Sequence, residues 1–156
     1  MKILFLFGII SILSILISCE VETLGNTENK AQFIIDHSIE QHGGRAYQDM
    51  SIEYQFRDKK YSISNENGEY TYTRSFKKDD QQIKDQLKNN GDFVRTIDGT
   101  IAEIPDSMSR KYANSTNSVN YFAQLPYHLN DSAVNKSYEG ETLIKNKKYQ
   151  VVKVTF

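Results

Sequence analysis

Histidine, cysteine and the carboxylates are where chemistry would first show in this chain. The three histidines are His37, His42 and His128. Two ligands on one helix face stand three or four residues apart, whereas His37 and His42 stand five apart. The one cysteine is Cys19, so there is neither a zinc-ligand spacing nor an internal disulfide. His42 falls at the end of a helical segment, where an imidazole caps carbonyls and complements the dipole. Glu139 and Glu141 share one face of a strand, the pairing that acid–base chemistry uses. They sit among lysines, however, and read as a solvated strand face. Ser107, Ser109 and Ser115 lack a nucleophile elbow, and Asp79-Asp80 reads as loop. A Schiff-base lysine needs a desolvated pocket, but Lys59-Lys60, Lys77-Lys78 and Lys145 to Lys148 cluster in polar turns. The α/β barrels that use such lysines alternate strand and helix over roughly 200 residues or more. No catalytic constellation, metal set or cofactor motif emerges, and the chain reads as a non-enzyme.

The aromatics carry the remaining signal: ten Tyr, eight Phe and no Trp. Tyr54, Phe56, Tyr70, Tyr72 and Phe76 fall on strands, and Tyr121, Phe122 and Tyr127 on a later insertion. The plain reading is sheet core. The functional reading is an apolar cavity for an acyl chain, lined by Tyr54, Phe56, Tyr72, Phe76, Phe122, Leu125 and Tyr127. The absence of Trp disfavours a sugar platform.

The elements that must position these rings follow from periodicity. Asn29 with Gln32 resembles a capping box. Ala31, Ile34, Ile35, Ser38, Ile39 and His42 then keep helical spacing until Gly43-Gly44. Ile52, Tyr54 and Phe56 alternate as a half-buried strand does. Lys60 to Ser64 predicts a second strand and Asn67-Gly68 a turn. Tyr70, Tyr72, Arg74 and Phe76 alternate again. The polar stretch from Lys77 to Asn90 reads as a strand with a long hairpin, ending in a turn at Asn90-Gly91. Phe93 to Ile97, Asp98-Gly99 and Thr100 to Ile104 predict another hairpin, closed by Pro105. Helical spacing returns from Met108 through Ala123, with Asn114 to Ser118 a weak helix former. Pro126 stops it. Tyr127 to Asn135 reads as a connection, and Tyr138 to Ile144 with Tyr149 to Phe156 as a last hairpin. One apolar sheet face must be covered. The expected class is α+β, a curved antiparallel sheet (an incomplete half-barrel) with helices covering its concave face.

The chain has 156 residues, 38% hydrophobic and 25% charged, as a single folded domain would. A net charge of -1 gives no global field that would recruit nucleic acid. After Met1-Lys2, residues 3–17 are almost wholly apolar, a run shorter than the roughly 20 residues of a transmembrane helix. It fits the apolar core of a secretory signal. Leu16-Ile17-Ser18-Cys19 follows, and it resembles the lipobox of bacterial lipoproteins. Small Ser18 gives a signal peptidase access, and the Cys19 thiol is the side chain that carries a thioether-linked diacylglycerol. Each buried methylene contributes about 0.8 kcal/mol, so two or three acyl chains anchor stably. The resemblance implies a signal peptide over residues 1–18, lipid on Cys19, a polar tether over 19–28 and one domain over 29–156. It also makes a membrane the first partner. Position 21 is Val, not Asp, which in the lipoprotein sorting scheme favours the outer over the inner membrane.

Two further stretches carry a resemblance. Ala31 to Tyr47, centred on Ile39-Glu40-Gln41-His42-Gly43-Gly44, is similar to the opening of periplasmic lipoproteins with the lipoprotein-carrier (LolA/LolB-like) fold. Asn117 to Asp131, with Ala133-Val134 and the Lys147 to Phe156 strand, looks like an uncharacterised lipoprotein family of Bacteroidota, whose members typically run longer. The last strand reaches Phe156 with no turn or polar tail, which predicts a C-terminal continuation. The resemblance implies a half-barrel under helices, and fold does not fix function. Two readings stand for the domain: binding of a lipid or other apolar ligand between sheet and helices, or interaction with an envelope protein.

Overall fold

The computed structural model describes the backbone of residues 19–156 and the side chains from Asn26 onward. The expected signal peptide, residues 1–18, and the Cys19 side chain lie outside the described residues. The described residues fall into two compact units, one of residues 19–38 together with Leu129–Phe156, the other Ile39–His128. The stretch 29–156, expected as one domain, is shared between them.

Helix α1, Cys19–Gln41, begins well before the expected cap at Asn29 and takes in the tether. No proline interrupts 19–28, and Gln32 is not turned back to a cap. Its amide donates to Asp36 Oδ1 at 2.8 Å and Asn130 Oδ1 at 2.7 Å. Gly43 and Gly44 end the helix at φ 141° and 52°, where a side chain is strained. A Cβ on Gly43 would also meet the Tyr47 ring at 3.2 Å.

In the Ile39–His128 unit, six strands form one antiparallel meander in sequence order, open rather than closed into a barrel. They are β1 Met50–Phe56, β2 Lys59–Glu66, β3 Glu69–Lys78, β4 Gln81–Lys88, β5 Phe93–Ile97 and β6 Thr100–Ile101. The α+β class and antiparallel pairing expected from alternation are present. The polar stretch after Lys77 holds the expected strand, β4, in a long hairpin with β3 that closes in a tight turn at Asp79-Asp80. Both residues have positive φ, 48° and 63°, as a two-residue hairpin turn needs. β6 is cut to two residues, short of Ile104.

Register places one residue of each of β1 to β5 in rows across the face beneath helix α2, Asp106–Ala123. One row is Ile52, Ile63, Tyr72, Leu87 and Phe93; the next is Tyr54, Tyr61, Arg74, Asp85 and Arg95. Ile63, Tyr72 and Leu87 form the buried core, packed by Met50, Tyr54, Tyr70, Phe93 and Ala113. α2 lies on β2, β3, β4 and β5. It stays unbroken through Asn114 to Ser118, where local side-chain bonds to carbonyls accompany the helix instead of ending it. Ser118 Oγ donates to the Asn114 carbonyl at 2.8 Å and Asn120 Nδ2 to that of Thr116 at 3.0 Å.

The other unit sets α1 beside a separate hairpin, β7 Asn135–Ile144 and β8 Lys147–Thr155. Ala31, Ile35 and Val134 are buried. Asn130, at the end of a 3-10 turn over Tyr127–Asn130, donates to Asp36 Oδ1 at 2.7 Å, and the Lys30 ammonium lies 3.8 Å from the Tyr138 ring centre.

Candidate functional site

An apolar cleft of about 400 Å³ lies between edge strand β1 and the C-terminal half of α2. Tyr54 and Phe56 are two apart on β1 and so point to the same side. Ser118, Val119, Phe122 and Ala123 follow helical spacing on α2. These six and Gln55 line the cleft. Its mouth is open: Phe122 is 70% and Phe56 47% exposed, so both rings present apolar surface to whatever enters. At the inner wall the Tyr54 hydroxyl donates to Asn120 Oδ1 at 2.8 Å. Burial, reinforced by Tyr61 and Tyr72, pushes the Tyr54 phenol up to about 12, so it stays a neutral donor at physiological pH.

Of the seven ring and aliphatic positions expected to line a ligand cavity, Tyr54, Phe56 and Phe122 meet here. Tyr72 is instead buried in the core, because its strand is central in the sheet. Phe76 faces a different cleft. Leu125 and Tyr127 stand past the end of α2 and line neither; Tyr127 stacks on Tyr47 at 4.8 Å. The alternation of β1 and the helical spacing around Phe122 contain the signal for this cleft, but not its boundary.

Sequence reasoning missed the polar centre of the same face. Asp85 is fully buried and accepts from Arg95 Nε at 2.7 Å, Arg95 Nη2 at 2.9 Å and Arg74 Nε at 3.0 Å. Arg74 Nη2 also bonds it, at 2.5 Å, and Arg74 Nη1 donates to Ser115 Oγ of α2 at 2.6 Å. The Arg95 guanidinium lies 3.4 Å from the Tyr112 ring centre. Burial disfavours the Arg95 charge, but its bonds and attraction to Asp85 prevail and hold its pKa above the usual arginine value. The missed signal was positional. Ile83, Asp85 and Leu87 alternate inward, and Arg74 and Arg95 occupy the matching inward positions of the flanking strands.

A second buried network joins the sheet to the end of α2. Gln124 Nε2 donates to the Tyr72 hydroxyl at 2.7 Å, and Gln124 Oε1 accepts from Asn65 Nδ2 at 2.9 Å. Tyr72 also meets His128 Nε2 at 3.3 Å, and His128 stacks on Tyr121 with ring centres 4.5 Å apart.

His37, Glu139 and Glu141 line neither cleft. His37 stacks on Phe33 at 4.6 Å. Glu141 takes Lys148 at 3.1 Å, and its carboxyl is held low by the Gln150 amide and that lysine. Glu139 falls where the β7–β8 register shifts and accepts from Ser137. Among the described residues no group of His, Cys, Asp and Glu is placed to hold a metal ion.

No curated protein and no solved structure matches the chain. A family model does match, over residues 4–156, and the chain therefore belongs to the family of unknown function DUF6503.

Proposed function

We propose that this chain is a lipid-anchored envelope protein whose Ile39–His128 unit binds an acyl chain or a similar apolar ligand. The observation that carries the binding is the cleft of about 400 Å³ walled by Tyr54, Phe56, Val119, Phe122 and Ala123. Its volume lies within the roughly 300–1,000 Å³ of small-molecule sites, and its walls are mostly apolar with a few polar groups at the edge, as such sites are. The anchor rests on the sequence alone, on Leu16-Ile17-Ser18-Cys19 after an apolar run. Val21 favours the outer membrane.

The test is to express the full chain in a bacterium fed labelled palmitate, purify it in detergent and extract it with organic solvent. Label that stays on the protein and is lost in Cys19→Ser supports the anchor. A second lipid that extracts from the wild type, and falls away in Val119→Glu, supports the cleft. A protein that yields no extractable lipid counts against it. A second reading, docking of a protein segment, is favoured by β1 being the terminal strand of its sheet beside exposed Phe56 and Phe122.

A further inference from the structure

Beside the apolar cleft lies another, of about 460 Å³, roofed by Lys111, Tyr112 and Ser115 of α2 and floored by inward residues of β2 to β5. Its lining holds five cations, Lys59, Arg74, Lys78, Arg95 and Lys111, against one carboxylate, Asp79. Asp85 beneath and Asp58, 2.9 Å from Lys59, lower the excess but leave cations in the majority. This excess is local, since the whole chain carries a net -1.

The arrangement suits an oxyanion for three reasons. Two guanidiniums share a single carboxylate, so the buried group as a whole is positive, and a buried charge without its counter-charge is costly. Asp85 and Ser115 hold Arg74, and Asp85 holds Arg95, so their planar forks are fixed before anything binds. Phe76, Ile83 and Ile97 supply apolar wall, so the cleft also accommodates organic body.

The two clefts are neighbours. Phe56 of the apolar cleft stands directly opposite Lys59 of the cationic one in the β1–β2 register. Ser115 and Val119 are likewise four apart on α2, one turn along the same face. We infer that the ligand is an anionic amphiphile: its phosphate lies among Arg74, Arg95, Lys59 and Lys111, and its tail runs into the cleft at Phe56, Val119 and Phe122. For the tail this rests on the proposed function; for the head it rests on the cationic cleft alone. A phosphate on a lipid and a free phosphate share the recognising chemistry.

The test uses the full chain in detergent, titrated calorimetrically with three probes: a short-chain phosphatidate, the diacylglycerol of the same chains, and inorganic phosphate. The expected result is that the phosphatidate binds tightest and that added salt weakens it. Lys78→Gln with Lys111→Gln, both exposed and outside the buried cluster, should weaken phosphatidate roughly tenfold and leave diacylglycerol unchanged. Equal binding of diacylglycerol and phosphatidate, unaffected by the lysine changes, overturns the anionic head while leaving the apolar cleft standing. Inorganic phosphate binding as well as phosphatidate, with no gain from the tail, overturns the amphiphile in favour of free phosphate. No binding of any probe overturns both readings.

Discussion

Tyr54 on the edge strand and Asn120 on α2 are joined by a 2.8 Å hydrogen bond at the inner wall of the apolar cleft. Asn120 is fully buried, and its amide nitrogen already serves the Thr116 carbonyl. The phenol is therefore the side-chain donor that satisfies Asn120 Oδ1. Tyr54→Phe should destabilise the chain by about 1–3 kcal/mol, because the oxygen is left buried without that donor. Urea denaturation of Tyr54→Phe, Asn120→Ala and the double variant would measure the coupling. Additive losses would mean that the bond contributes nothing.

The same tyrosine gives a pH signature. Its folded pKa, pushed to about 12 by burial and by Tyr61 and Tyr72, exceeds the ordinary value of 10.0. Between those values the unfolded chain loses the proton while the folded one keeps it, so protons favour the folded state. The contribution is complete below pH 10 and is lost as pH rises to 12. Stability should fall across that window in the wild type, and less steeply in Tyr54→Phe. Equal slopes in the two proteins would show that Tyr54 titrates as an ordinary phenol.

Asp85 is the charge whose loss should be felt most. It has no exposed surface, and the Arg74 and Arg95 side chains are 6% and 8% exposed. Asp85→Asn leaves two buried guanidiniums without a countercharge, a change that typically costs about 3–5 kcal/mol. Replacing the trio together, Asp85→Leu with Arg74→Met and Arg95→Met, should recover most of that stability, since buried ion groups seldom outperform apolar packing of similar volume. It should also weaken phosphatidate to the level of the diacylglycerol of the same chains. Thermal unfolding of the two variants separates the cases; a triple variant no more stable than Asp85→Asn would mean that the charges are needed to specify the fold.

Gln124 is a comparable test at the other end of α2. It is fully buried between Tyr72 and Asn65. Gln124→Leu keeps the volume but removes a donor and an acceptor, and should cost about 1–3 kcal/mol in denaturant unfolding. Unchanged stability would mean that the network relaxes onto other partners.

These sites differ in how legibly the sequence announces them. The strands at Tyr54, Tyr72 and Phe93 were readable because apolar residues alternate with polar ones, and the hairpin ends because Asn67-Gly68, Gly91 and Asp98-Gly99 accept positive φ. β4 was obscured because its middle inward residue is Asp85, so the window around it looks solvated. Only the cross-strand register, which brings Arg74 and Arg95 to either side, reveals it as interior. Helix α1 outran its expected cap because Asn is tolerated within a helix at modest cost. The apolar cleft was partly legible: Tyr54, Phe56 and Phe122 were identifiable as inward or amphipathic positions. Nothing local distinguishes Phe76, which faces the neighbouring cleft, from Phe56, which faces the apolar one.

Phe122 separates ligand binding from folding more cleanly than any other residue of the cleft. At 70% exposure it is a large ring held largely in water, and substitutions at such positions usually change stability by within about 0.5 kcal/mol. An acyl chain lying against it would cover that surface, and apolar area removed from water contributes about 25 cal/mol per Å². Phe122→Ser should therefore leave the unfolding midpoint nearly unchanged while lowering the amount of extractable lipid and weakening phosphatidate in calorimetry. A fall in both stability and lipid would make Phe122 part of the core and not a ligand contact. A variant that keeps its lipid in full would move the tail away from α2 altogether.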